Sequence, residues 1–129
     1  MDEKEMSMQY ISGYIKRARD AQAEFEKMSQ EQVDLAVKTI GKVVYDNAEY
    51  LAEIAVEETG MGNVPDKIAK NRQKSKIVWN NLRGKKSRGI LDTDVETGIT
   101  RIAKPMGVAA AITPCTNPIV TPMSNAMFA

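Results

Sequence analysis

The stretch Lys104-Pro-Met-Gly-Val-Ala-Ala-Ala-Ile-Thr-Pro-Cys-Thr-Asn-Pro118 constrains the fold of this chain more than any other. Its central run, Val108 to Ile112, is small, apolar and uninterrupted, the composition of a strand covered on both faces in a parallel sheet. Thr113 to Pro118 then reads as a Pro- and Asn-marked loop leading into a helix. Such a strand-to-helix junction is where α/β folds hold cofactors. The chain stops at Ala129 inside that helix, with no Gly, Asn or basic residue to close it. The site begun here is therefore expected to be completed by residues beyond it.

The preceding sequence is helical by its period. Ile11, Tyr14, Ile15, Ala18, Ala21, Phe25 and Met28 fall three or four apart and predict a helix over about Ser7 to Met28. Ser29-Gln-Glu-Gln32 has the form of a capping box that restarts the helix. A second stripe, Val33, Val37, Ile40, Val44, Ala48, Leu51 and Ala55, keeps phase until Thr59-Gly-Met-Gly62 stops it. A third helix is expected from Pro65, with Ile68, Ser75, Val78 and Leu82 on one face, up to Gly84. Gly60-Met-Gly62 follows a helix and lacks a third glycine in place, so it is not read as a phosphate loop.

After Arg88 the period becomes extended. Gly89 to Gly98 followed by Ile99 to Lys104 predicts two short strands around an Asp/Thr/Gly turn, with Ile99 and Ile102 out of clean alternation. The order of elements gives an α/β fold in three parts. Residues 1–88 form the helical part, 89–104 a hairpin, and 105–129 a strand, loop and partial helix.

Composition mainly excludes. Eighteen Lys+Arg against seventeen Asp+Glu give a formal net charge of +1, a balance that calls for neither nucleic acid nor an anionic membrane. The basic cluster Arg83 to Arg88 is short, lacks aromatic residues and reads as a solvated connector. With one cysteine, Cys115, and no histidine, the chain can build neither a disulfide framework nor a multi-Cys zinc site, and it lacks the usual general base. No metal site is expected. The charged N-terminus is unlike a signal peptide and no apolar run reaches the ~20 residues needed to span a bilayer, so a cytoplasmic protein is the default.

Two motifs then carry a resemblance. Glu57-Glu-Thr-Gly-Met-Gly62, continuing through Asp66-Lys-Ile-Ala-Lys-Asn71, resembles a signature of CoA-acylating aldehyde dehydrogenases, and Lys104 to Pro118 resembles the Pro-x-Gly-Val…Thr-Pro-x-Thr-Asn-Pro segment of the same family. The resemblance runs over essentially the whole chain and covers the N-terminal part of such an enzyme. It implies an oxidoreductase converting an aldehyde, CoA and NAD or NADP to acyl-CoA and NAD(P)H through an enzyme thioester. The cysteine nucleophile of the family lies downstream of Ala129, so this stretch alone is expected to be inactive. The resemblance further implies that the strand within 105–129 is the first of a Rossmann-like parallel sheet and that the hairpin protrudes from it. The resemblance also implies a homo-oligomer to which the hairpin contributes an arm, with small aldehyde and CoA as partners.

By the same resemblance Ile112, Thr113, Pro114 and Thr116 line the nicotinamide cofactor, and Asn117 is the oxyanion donor. An amide NH₂ can stabilise a developing oxyanion without reacting itself. Two alternatives stay open at Asn117: it could cap the helix that follows, and an ungapped match to hydrolytic aldehyde dehydrogenases puts the functional Asn position on Thr116. Cys115, the only thiol, occupies a variable position between Thr-Pro and Thr-Asn and has no evident base, so it is read as a decoy. Glu57 and Glu58 read as a solvated last turn. The competing functions are a hydrolytic aldehyde dehydrogenase and a stand-alone helical interaction module docking through the apolar tail after Pro118.

Overall fold

The computed structural model describes residues 2–129. It holds five helices and one two-stranded sheet among those residues, in two compact units. One unit comprises the chain up to Gln30 together with Ser87–Ala110, the other Glu31–Lys86 with Ala111–Ala129.

In the first unit, α1 spans Glu3–Phe25, starting four residues before the apolar stripe alone suggested. The reason is Asp2. Its carboxylate accepts from Glu5 N–H at 2.7 Å while Glu5 reaches back to Asp2 N–H at 3.0 Å, a reciprocal cap that extends the helix through polar residues. None of its residues is buried, and Ile11 and Tyr14 are about half exposed.

The hairpin pairs β1 (Gly89–Thr93) with β2 (Thr100–Ala103), antiparallel, with Ile90 opposite Ile102 and Thr93 opposite Thr100. The register shifts between Ile90 and Asp92, leaving Leu91 as an extra residue; this bulge is why the sequence alternation is imperfect. Asp94 makes the turn by accepting from the Glu96 and Thr97 amides at 2.9 and 3.2 Å. Those bonds, with the Thr97 side chain foremost, hold its carboxyl below the usual carboxylate range. The base of the hairpin is tied to the end of α1: the Arg88 guanidinium donates to the Phe25 and Glu26 carbonyls, and the Gln30 amide exchanges hydrogen bonds with Ser87.

In the second unit the expected long helix is two. α2 (Gln30–Asp46, its first residue belonging to the other unit) and α3 (Ala48–Thr59) are separated by Asn47, whose side-chain amide donates to the Val43 carbonyl at 2.8 Å. An Asn competing for backbone partners is a reason to break a helix that apolar phase cannot reveal. Ala48, Ala52 and Ala55 are almost fully buried, so α3 presents a methyl-only face and packs against α4 (Val64–Leu82). α4 starts a residue before the predicted Pro65 because Asn63 caps it, accepting from the Asp66 amide at 2.9 Å. Its buried face is Lys67, Asn71, Ser75 and Val78.

α5 (Val120–Phe128) closes this unit through Met123 and Met127, each 3% exposed, which join Val78 in the core with Val37, Ile40, Val44 and Leu82 around them. Gly41 on α2 makes room for this contact, since a Cβ there would meet Met127 Cε at 3.2 Å. The apolar tail is thus anchored, although Phe128 stays largely exposed.

Val108 to Ile112, expected as a buried parallel strand, forms no ladder, and Ile112 is 94% exposed. A parallel strand needs a partner brought round by a crossover of a dozen or more residues, and no such strand exists among the described residues.

Candidate functional site

The second unit brings the two sequence motifs together. α3 ends on Gly60, which takes φ +64 and donates its N–H to the Val56 carbonyl at 2.8 Å, a left-handed stop that suits glycine. Thr59 folds back, its hydroxyl donating to Ala55 O and accepting from the Met61 amide. Gly62, at φ +76, then turns the chain into the Asn63 cap, and Lys67 Cε lies only 3.4 Å from where a Cβ would stand.

The loop after the Val108 to Ile112 stretch meets this turn. Thr113, Pro114, Cys115 and Pro118 line a cleft of about 430 Å³ with Glu58 and Thr59. A second cleft of about 300 Å³ is lined by Met61, Gly62, Asn63, Asp66, Lys67, Lys70 and Thr116. Asn117 lies where α4 comes closest, in a tight crevice with Ala55, Lys67, Lys70, Asn71 and Pro118. The structure therefore gathers Thr113, Pro114, Thr116 and Asn117 along one edge facing α4 and the Thr59-Gly-Met-Gly62 turn. Ile112 stands apart from these clefts, its side chain open to solvent.

Asn117 does not cap a helix. α5 begins at Val120 with Ile119 in the cap position and no side-chain cap bond. The Asn117 carbonyl oxygen instead accepts from Lys70 Nζ at 2.5 Å, its backbone N–H closes a turn onto Pro114 O at 3.2 Å, and its backbone carbonyl accepts from the Thr121 amide. Of the roles open in the sequence, capping is not the one this side chain adopts.

Lys70 is half-buried, and removal from water, followed by the nearby charge of Lys67, lowers its pKa. Lys67 is only 7% exposed, an unusual position for a lysine. Asn71, almost fully buried, donates to Ala48 O at 3.3 Å, and Ser75 bonds both Asn71 O and Met123 Sδ. Lys67, Lys70 and Asn71 stand in the Asp66 to Asn71 motif and Ser75 on the expected stripe, but no role was read for them from the sequence because the helix was read by its apolar stripe. Their spacing, 67, 71, 75 and 78, is itself a helical face that ends on Val78, and it is the signal that could have found them.

Cys115 is an exposed free thiol. Glu58 shares its cleft, but no hydrogen bond joins the two.

Comparison with known proteins places this geometry. The model of the "Aldehyde dehydrogenase family" matches residues 4–129. Over 119 residues the chain is 54% identical to a succinate-semialdehyde dehydrogenase (acetylating) of Clostridium kluyveri, covering 92% of this chain and 26% of that protein. It is 44% identical over 117 residues to a sulfoacetaldehyde dehydrogenase (acylating) of Cupriavidus necator, covering 89% and 24%. The crystal structure of an acetylating aldehyde dehydrogenase from Geobacillus thermoglucosidasius matches with a TM-score of 0.91 at 38% identity, over 98% of this chain and 28% of that one. The expected α/β fold class stands on this match, although only the hairpin is paired in the chain itself. The chain spans about a quarter of the length of the relatives it matches.

Proposed function

The chain belongs to the aldehyde dehydrogenase family, and from that premise we propose that it forms the N-terminal part of a CoA-acylating enzyme. That enzyme oxidises an aldehyde with NAD or NADP and passes the acyl group from an enzyme thioester to CoA. The observation that carries this reading is the placement of the Thr113 to Pro118 loop. It is open to solvent on the side of Thr113, Pro114 and Thr116, and fixed at Asn117 by α4.

The exposed stretch suits a bound nicotinamide cofactor, because Ile112, Thr113, Pro114 and Thr116 all present uncovered surface. When bound, that group accepts hydride from the reacting carbon. Asn117 contributes a neutral N–H donor for the oxyanion that develops when a thiolate adds to the aldehyde carbonyl; such a donor does not compete as a nucleophile. Thr116 lies one residue away on the outer side of the loop and serves as cofactor contact, not as the amide donor. Cys115 has no role in the chemistry, and the nucleophile is supplied by sequence outside this chain.

The relatives named acetylating or acylating support CoA over water as acyl acceptor. We also assign residues 1–88 and 105–129 to the cofactor-binding domain and residues 89–104 to an arm that joins subunits of a homo-oligomer. The hairpin's exposed Ile90, Ile99 and Ile102 give it apolar surface for that pairing. A cytoplasmic location fits a chain in which no described helix is long and apolar enough to cross a membrane.

The test is oxidative acylation in the full-length enzyme: aldehyde, CoA and NAD, with NADH absorbance followed. Turnover that stops when CoA is omitted is the expected result. Sustained turnover to free acid without CoA overturns the acylating assignment in favour of a hydrolytic enzyme.

A further inference from the structure

The Asn117 amide has two ends, and the structure determines which is left for chemistry. A lysine ammonium can only donate, so the group facing Lys70 Nζ at 2.5 Å must be the amide oxygen. Flipping the amide would set NH₂ against NH₃⁺, two donors in contact. The nitrogen end has no acceptor among the described residues.

We propose that Lys70 is a positioning residue: its ammonium locks the Asn117 amide with its NH₂ free, so that the oxyanion donor is preset before substrate arrives. The proposal rests on the reading of Asn117 as that donor. Preset donors matter because a donor that must rotate during reaction loses part of its stabilising effect to reorganisation.

Lys70 is itself held on a rigid element. One residue on, Asn71 is buried and bonded to α3 through Ala48 O, and a turn further Ser75 bonds Met123 on α5. The lysine therefore projects from the edge of the anchored face of α4, and its bond spans 47 residues of sequence to reach the loop. Burial, followed by the like charge of Lys67 one turn earlier, lowers the Lys70 pKa, and the Asn117 oxygen is the acceptor that its ammonium meets.

The experiment is a double-mutant cycle in the full-length enzyme. Asn117→Ala is expected to lower kcat by ~10²–10³-fold. Lys70→Met is expected to lower kcat by about tenfold or more with the KM for aldehyde and cofactor nearly unchanged, and to add nothing in the Asn117→Ala background. Lys70→Arg, which still presents only donors to the amide oxygen, is expected to restore most of the rate. Lys70→Leu replaces Lys70→Met should the latter not accumulate as folded protein.

A Lys70→Met enzyme with wild-type kcat, or one that loses the same factor with and without Asn117, overturns the positioning role while leaving Asn117 as donor. A raised aldehyde KM at unchanged kcat likewise overturns it, making Lys70 a substrate contact. Wild-type kcat in Asn117→Ala sinks the donor reading itself, and the positioning role with it.

Discussion

The two units solve the same problem in opposite ways. The unit of α2 to α5 buries apolar and polar groups together: Val33, three alanines of α3, Val78 and two methionines of α5, with Lys67, Asn71 and Ser75 of α4. The unit of α1 and the hairpin buries almost nothing, and leaves Ile11, Tyr14, Ile90, Ile99 and Ile102 in water. It holds its shape by capping and turn hydrogen bonds at Asp2, Arg88 and Asp94. The lesson is that regular elements can form without a core when their ends are satisfied, but the groups that do chemistry sit where packing fixes them.

That contrast can be broken most forcefully in the packed unit. Met123→Ala empties a site lined by Val78 and Met127 and is expected to cost ~2–5 kcal/mol in urea unfolding. Ile11→Ala on the bare face of α1 is expected to cost under ~0.5 kcal/mol. A comparable loss at both sites would erase the distinction and mean that α1 is covered. Next in size, Ala52→Leu forces a larger side chain into the α3 to α4 contact, for a loss of ~1–3 kcal/mol.

Hydrogen exchange sharpens the comparison between packed helices and unpaired chain. Amides of α3 and α4 are expected to be protected, those of Val120 to Phe128 to be intermediate, and those of Val108 to Ile112 to exchange nearly freely. Protection of Val108 to Ile112 equal to that of α4 would show that the stretch has found a partner.

The smallest effect lies in the hairpin turn. Asp94 has a lowered carboxyl pKa in the folded turn, so its contribution is complete above the ordinary carboxylate range and is lost as pH falls through the lowered folded value. The Glu96 and Thr97 amide resonances should therefore move together on acidification, and Asp94→Ala should remove that pH-dependent change. If those amides stay fixed down to strongly acidic pH, the turn is held by something other than the Asp94 carboxylate.

Much of this fold was legible in the sequence because helical stripes and glycine stops are local. Thr59-Gly-Met-Gly62 ends α3 as read, and the hairpin lies where the period changes. What escaped was set by polar side chains acting on backbone or by distant partners. Asn47 splits a helix whose apolar phase is continuous, and Asp2 and Asn63 begin helices earlier than the stripes do. The buried strand could not form because its ladder partners are not local. In the candidate site the loop residues took their roles from their motif, whereas Lys70, legible only as part of Asp66 to Asn71, was given none. Its charge reads as solvated until a fold brings Asn117 within 2.5 Å of it.

The clasp at the root of the hairpin carries a mechanical consequence. Arg88 grips the last carbonyls of α1 while Gln30 holds Ser87, so the arm is hinged to a helix end and not tethered by slack chain. A force applied at its tip passes into the final turn of α1 before it can be absorbed by the linker. Any neighbour that seizes the hairpin therefore tugs on a lever with a fixed fulcrum, and feels the stiffness of a 23-residue helix behind it.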